Sequence, residues 1–238
     1  MEENINMQEQ NEQENSGQSW LTTYADMMTL LFAFFVLLYS MSSPDPVKMS
    51  QIQDAMEKEA GFEGTLQTQS QILEEFEDIV EELNLESTTN IISDPRGVAL
   101  EMDGDICFQS ASTEIEGPLQ KVLNTAAEKI FSNKEDYRMI IIEGHTDADK
   151  IPKKLQKIYP TNWELSAARA SNVVNYLIGQ GVNSGRLQAS GYADRWPAEA
   201  SWYDVRSGKI TDKTIQKYNM NEQQKRKNRR IKIVFTNE

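Results

Sequence analysis

The sequence predicts an α+β domain, with a mixed sheet and helices packed on one face, preceded by a single transmembrane helix. Three observations predict this: an apolar run of 22 residues near the N-terminus, alternating strand-like and helix-like segments after residue 88, and an uneven charge. The 238 residues include 24 basic and 37 acidic ones, and residues 1–86 carry a net charge of −16 against +3 for the remainder. The acidic excess therefore belongs to the first third of the chain, and no feature of the sequence indicates a nucleic-acid partner.

The first segments are an acidic tail and an apolar helix. Residues 1–19 are polar, lack Lys and Arg and show no hydrophobic periodicity, so a disordered tail is expected. The segment 20–41 (WLTTYADMMTLLFAFFVLLYSM) would span roughly 33 Å as a helix, enough to cross a membrane. A cleaved signal peptide would need a basic start and a small-residue cleavage site. A buried soluble helix would not be apolar on nearly every face, so we predict a retained anchor.

Asp26 is the most informative residue of this apolar helix. It lies about one and a half turns inside the span, where a carboxylate costs about 2.5–3.5 kcal/mol. It either caps a frayed helix start at the interface or faces other protein in the bilayer and binds a cation or proton. Ala25, Thr29 and Ala33 have a small-xxx-small spacing, which lets a second helix approach closely. We favour the second interpretation.

Two helical stretches follow the span after the helix-breaking run Ser42–Pro46. Val47–Phe62 is a short amphipathic stretch that could also be a plain linker helix. Leu66–Leu85 predicts a second helix with an apolar stripe and strongly acidic other faces. The stripe could pack on the following domain or on a second copy of itself.

Residues 88–238 alternate between strand and helix patterns. The predicted strands are Val98–Met102, Arg138–Glu143, Gln188–Tyr192 and Arg230–Phe235, and the main helices are Pro118–Phe131 and Asn162–Leu177. Such an order is typical of a mixed sheet with helices on one face.

The single cysteine and single histidine limit the chemistry of this domain. Cys107 cannot form an intrachain disulfide, and His145 cannot build a histidine cluster for a metal. We expect His145, directly after a strand, to be a packed residue, and Cys107 to be buried and inert unless it meets its own copy in a dimer. Without a second base or a nucleophile partner, the sequence predicts no enzyme and no cofactor.

An ordered set of motifs connects the C-terminal region to a known family. The set consists of Gly144-His145-Thr146-Asp147, Asn162 with LSAARA at 165–170, Gly191-Tyr192, Pro197 and Asn228-Arg229-Arg230. It resembles the OmpA-like peptidoglycan-binding domain. The span, with Tyr24-Ala25-Asp26 at its core, is similar to the membrane segment of MotB-type flagellar stator proteins.

The resemblance implies a non-enzymatic stator subunit with four segments: a tail (1–19), a transmembrane helix (20–41), a plug and linker (42–87) and a wall-binding domain (88–238). Asp26 matches the aspartate that carries ions beside a MotA-type four-span partner, with H+ favoured over Na+. The family also implies a homodimer. It places the N-terminus in the cytoplasm and the domain in the periplasm or cell-wall space, whereas Lys48 and Lys58 after the span weakly favour the opposite orientation.

The resemblance also implies individual site residues. Asp147, Asn162, Arg169 and Arg229 match contacts to peptidoglycan, where a carboxylate meets an ammonium and a guanidinium meets a carboxylate. The alternative for Asp147 and Arg169 is a structural salt bridge across a loop. The plug that closes unassembled stators corresponds to the amphipathic stretch with Val47, Ile52, Met56 and Phe62.

Two other functions and two surface segments stay open. A non-motor cell-wall tether would have no use for Asp26, and a non-flagellar ion-driven energising subunit would generally lack the wall domain. Residues 198–227 form a longer and more Lys-rich connection than the family pattern; it could bind the wall, contact another stator part or stay mobile. The basic cluster Lys150, Lys153, Lys154 and Lys157 is expected to be a solvated face.

Overall fold

The computed structural model describes residues 2–41, 67–109, 112–153 and 155–237. The chain divides into two compact units, Met1–Asp45 and Pro46–Glu238. The four plug residues Val47, Ile52, Met56 and Phe62 lie outside the described residues, and the plug therefore stays a prediction.

Helix α1 (Glu2–Met41) forms the first unit. Its segment Trp20–Tyr39 is long and apolar enough to cross a membrane, and its side chains are exposed along the whole segment. Trp20 and Tyr39 stand at the two ends, where amphipathic rings favour the lipid headgroup level. The structure differs from the predicted disordered tail, because α1 begins at Glu2. Glu and Gln are good helix formers, and without proline a helix that has formed in the span can propagate toward the N-terminus.

The second unit contains a five-stranded mixed sheet of order β1-β2-β5-β3-β4. Only β3 and β4 are parallel; the other neighbours are antiparallel. The strands are β1 (Thr89–Asp94), β2 (Gly97–Asp103), β3 (Ile140–His145), β4 (Leu187–Gly191) and β5 (Arg230–Thr236). This arrangement confirms the predicted fold class. The sequence did not predict β1, an edge strand whose short segment TNIISD shows no clean alternation of apolar and polar residues.

Helices cover one face of the sheet. They are α2 (Gln69–Glu82), α3 (Gly104–Cys107), α4 (Gly117–Ala126) with a π-helical turn at Ala127–Phe131, and α5 (Asn162–Gly179). The buried core between helices and sheet contains Leu119, Val122, Leu123, Val173 and Leu177 from the helices, and Val98, Leu100, Ile140, Ile142, Ile231, Ile233 and Phe235 from the strands.

Helix α2 packs on this domain through its apolar stripe. Its Ile72, Phe76, Ile79 and Val80 are buried, and the Phe76 ring lies edge-on to Phe131 with a centroid separation of 6.2 Å. The domain core therefore uses the stripe, which answers the question that the sequence left open. The acidic residues stay on the outer faces.

Phe76→Ala is expected to lower the free energy of unfolding by about 3–5 kcal/mol, because it leaves a cavity in the core. Chemical denaturation of the full chain, followed by tryptophan fluorescence, measures this change. The exposed neighbour Glu77 supplies the control Glu77→Gln, which should change the value by less than about 0.5 kcal/mol. Equal effects of the two substitutions would show that α2 is not part of the core.

The connection 198–227 forms three short helices: α6 (Trp202–Arg206), α7 (Asp212–Lys217) and α8 (Glu222–Asn228). The side chains of Ser201, Thr211 and Asn221 each accept a backbone N–H bond at the start of one helix. This segment is thus ordered by its own capping residues, and α8 leads directly into β5.

Candidate functional site

A cleft of about 560 Å³ brings together all four residues that the sequence predicts as wall contacts. It lies at the carboxyl end of β3, beside the N-terminal half of α5 and the start of α8. Its charged and polar lining includes Asp105, Asp147, Asp149, Lys150, Asn162, Arg169, Glu222 and Arg229.

Two glycines of the motifs let α5 approach the sheet closely enough to build this cleft. A Cβ on Gly144 would lie 2.1 Å from the Ser166 carbonyl oxygen, and a Cβ on Gly191 would lie 2.6 Å from the Ala167 backbone nitrogen. No side chain fits in either place. The close approach puts Arg169, on α5, beside the loop that follows β3.

Asp147 is held from both sides. Its Oδ1 accepts the backbone N–H of Asp149 at 3.1 Å, and its Oδ2 accepts a bond from Arg229 Nη1 at 2.7 Å. The ion-pair partner of Asp147 is therefore Arg229. The salt bridge between Asp147 and Arg169, which the sequence left open as an alternative to wall binding, does not form. The side chain is mostly buried, with 12% exposure, so it presents a fixed carboxylate to the cleft.

Arg229 contacts three carboxylates. Its Nε and Nη2 donate to the two oxygens of Asp105, each at 2.9 Å, in a bidentate pair. Nη2 also donates to Glu222 at 3.0 Å. The hydrogen bonds from Arg229 lower the pKa of Asp105, so the group stays ionised. Because these contacts occupy most of its N–H groups, Arg229 has little donor capacity for a ligand.

Arg169 differs from Arg229 because it lies in the cleft without an ion pair among the described residues. It is 7% exposed, its guanidinium lies over the Phe108 ring at 4.8 Å, and its Nε donates to the Ser112 carbonyl at 3.0 Å. Burial lowers its pKa, and within the described ranges no carboxylate forms an ion pair with it. A buried guanidinium that lines a cleft without a counter-ion is suited to receive an anionic group.

Asn162 shapes the loop that carries Asp147. Its Nδ2 donates to the carbonyls of Asp147 and Asp149, both at 3.1 Å. From the other side, Asn219 accepts the Ala148 backbone N–H at 3.0 Å, and Lys225 pairs with Asp149 at 2.8 Å. The segment 198–227 therefore helps to form the cleft, a role that the sequence did not reveal.

Sequence reasoning missed Asp105 and Glu222 as cleft residues. Asp105 belongs to α3, two positions after the last residue of β2, and its position shortly after a predicted strand was the available signal. Glu222 belongs to the connection with no assigned structure, and no local pattern indicated that its side chain would meet Arg229.

His145 and Cys107 are both buried, in agreement with their predicted packing roles. The His145 ring stacks on Tyr192 at 5.4 Å and meets Trp196 edge-on at 6.1 Å. Neither of its nitrogens has a hydrogen-bond partner among the described residues. Burial also raises the pKa of the Cys107 thiol, which keeps it protonated and unreactive.

Burial lowers the pKa of His145 to about 3, and this predicts a pH dependence of stability. Below pH 6.5 the His145 imidazole is protonated in the unfolded chain but stays neutral in the folded chain. The free energy of unfolding therefore has its full value above pH 6.5 and decreases as the pH falls toward 3. Between pH 6.5 and 5 the loss should be about 2 kcal/mol. His145→Phe keeps an aromatic ring at this position and should remove this part of the pH dependence of the free energy of unfolding. The free energy of unfolding is measured by urea titration at several pH values. The same dependence on pH in the wild type and in His145→Phe would contradict the prediction.

Asp26 lies within α1, far from either end of that helix. The helix continues on its N-terminal side, so Asp26 does not cap a helix start. The hydroxyl of Thr29 donates to the Asp26 backbone carbonyl at 2.8 Å, while the Asp26 side chain is exposed on the helix surface.

Comparisons with known proteins match both units. A family model described as membrane MotB of the proton-channel complex MotA/MotB matches residues 5–59, and the OmpA family model matches residues 107–211. The uncharacterized protein YtxE of Bacillus subtilis is 31% identical over 203 residues, covering 77% of this chain and 81% of that protein. Motility protein B of Bacillus subtilis is 24% identical over 230 residues, covering 80% and 86%.

The fold has a counterpart among solved structures. A MotB-like protein from Desulfovibrio vulgaris superimposes with a TM-score of 0.56 at 22% identity, covering 71% of this chain and 91% of that chain. The relative at 31% identity aligns with 77% of this chain, and the two family models match in the order that the motifs predict. The chain therefore belongs to the MotB-type family of membrane-anchored proteins with an OmpA-like domain.

Proposed function

We propose that this chain is a non-enzymatic stator subunit of the flagellar motor, which carries ions on Asp26 and anchors the stator to peptidoglycan. The observation that carries the proposal is the combination, in one chain, of a carboxylate within a membrane-length apolar helix and a cleft that offers an anion and a cation to one ligand. A tether alone would need only the cleft.

The cleft suits the diaminopimelate part of a wall peptide, which bears both an ammonium and a carboxylate. Asp147 would accept the ammonium, and the unpaired guanidinium of Arg169 would bind the carboxylate through two parallel hydrogen bonds. Asn162 and Arg229 would contribute mainly by holding the loop and the Asp147 carboxylate, because their donors already contact Asp147, Asp149 and Asp105.

Asp26 would work by changing its charge. In a bilayer, an ionised carboxylate is attracted to polar or cationic groups of a partner, and binding of H+ or Na+ removes this attraction. Repeated neutralisation and release would let a MotA-type four-span partner shift around the span. We propose H+ as the carried ion. The family model that matches residues 5–59 supports this choice, because it describes MotB of a proton-channel complex.

The anchor is needed for a mechanical reason. Torque on the rotor has an equal reaction on the stator, so one subunit must be held while its partner moves. The proposal places the N-terminus in the cytoplasm and the OmpA-like domain in the periplasm or cell-wall space, in a homodimer. The plug at 47–62 would block ion flow until the stator is assembled.

Swimming of a strain whose only MotB-type subunit is this chain tests the proposal. The strain should swim, its deletion derivative should not, and the speed should follow the proton gradient over a matrix of pH and sodium concentration. Dependence on sodium would replace H+ by Na+ and keep the stator role. Unchanged swimming of the deletion strain would contradict the stator role and favour the wall tether.

A further inference from the structure

Three carboxylates of the cleft meet one cation. The side chains of Asp105, Asp147 and Glu222 share the single guanidinium of Arg229, so this acidic cluster has two more negative than positive charges. Arg169, without an ion pair among the described residues, and Lys150 line the same cleft. The cleft therefore offers a ligand both an acidic cluster and a guanidinium without an ion pair.

Asp105 also controls how Arg229 meets Asp147. The bidentate pair with Asp105 occupies Nε and Nη2, so only Nη1 reaches Asp147. Asp147 Oδ1 has one N–H partner, from the backbone of Asp149. A carboxylate oxygen can accept about two hydrogen bonds. Asp147 therefore keeps acceptor capacity on the side that faces the cleft, which a direct bidentate pair with Arg229 would remove.

We propose that Asp105 and Glu222 are specificity-determining residues, which hold Arg229 and supply the excess negative charge that makes this acidic cluster select a ligand ammonium. The inference rests on the proposed binding of the wall peptide and names the part of the ligand that these two residues recognise. They act through Arg229 and through their charge.

The two residues should differ in the size of their effect. The Asp105 side chain is 47% exposed and makes two bonds to Arg229. Glu222 is 76% exposed and makes one. Solvent screens exposed charges more strongly, so Asp105 should contribute more selectivity than Glu222.

Isothermal titration of the full chain in nanodiscs tests the inference with two probes. The probes are the tripeptide L-alanyl-γ-D-glutamyl-meso-diaminopimelate and the same peptide with its ε-amino group acetylated. The wild type should prefer the free amine by about tenfold or more. Asp105→Asn should reduce this preference by about fivefold and Glu222→Gln by about twofold. Both substitutions should weaken binding of the free amine more than binding of the acetylated peptide.

Controls separate selectivity from folding. Glu128→Gln removes an exposed carboxylate outside the cleft and should leave both affinities unchanged. If Asp105→Asn does not fold, the preference of Glu222→Gln for the free amine tests the inference, because Glu222 is exposed. An unchanged preference in the variants, or equal weakening of both peptides, would overturn the inference while wall binding stands. A wild type that binds neither peptide would overturn the proposed function itself.

Discussion

Asp26→Asn is expected to abolish swimming in a strain whose only MotB-type subunit is this chain, while the protein still reaches the membrane. Asparagine has nearly the same shape as aspartate but cannot take up or release a proton. A neutral amide also avoids the cost of a buried carboxylate, about 2.5–3.5 kcal/mol, so insertion of α1 should not suffer. Loss of motility at normal membrane level would therefore report lost ion transfer.

The matched control for this experiment is Asp78→Asn. Asp78 is an exposed aspartate of α2, and its replacement should leave swimming speed unchanged. Membrane level is measured by immunoblot and motor localisation by a fluorescent fusion. Normal swimming of the Asp26→Asn strain would refute ion carriage by Asp26, and the cell-wall tether would then be the better function.

Arg169→Met is expected to reduce binding of the full chain to purified peptidoglycan by at least about 100-fold, since it removes the bidentate partner of a ligand carboxylate. The effect on stability should be small or favourable, because a buried guanidinium without a counter-ion is costly and Met fills an apolar site well. The substitution loses one bond to Ser112 and the contact with the Phe108 ring. A function that costs stability is typical of a binding site.

Arg138 provides the matched control, because it also stacks on a phenylalanine ring, that of Phe235. Unlike Arg169, it is paired with Asp136 at 2.7 Å. Arg138→Met should therefore destabilise the fold, by about 1–3 kcal/mol, and leave wall binding intact. Co-sedimentation with peptidoglycan and thermal unfolding measure the two properties. Unchanged sedimentation of the Arg169→Met protein would exclude Arg169 as the carboxylate receptor.

Several elements of the fold could be predicted from sequence because their patterns are local. Apolar residues at helical spacing indicated α2, α4 and α5. An apolar run indicated β3, and a mostly apolar segment interrupted by Lys232 indicated β5. The edge strand β1 was missed since its identity depends on pairing with β2. Helices α6, α7 and α8 were missed because they are short and contain few buried residues: Ile215 and Asn228 are the buried ones.

The candidate site was also predicted from the sequence only in part. The motif around Asp147 and Arg169 predicted two residues that line the cleft. It did not show that Asp147 pairs with Arg229 instead of Arg169, because that choice depends on where α3 and α8 meet the end of β3. Asp105 and Glu222 are separated from each other by more than a hundred positions in the sequence, and only the folded chain brings both to one guanidinium.

By itself, the sequence determined the membrane-length helix with its aspartate, the α+β class, and the order of anchor, linker and domain. These follow from composition and periodicity, which act within a few turns or one strand. Only the tertiary structure decided which charged groups of the cleft form ion pairs and which do not. Ion pairing depends on distances of a few ångströms between residues remote in the chain, as in the contacts of Arg229 with Asp105 and Asp147.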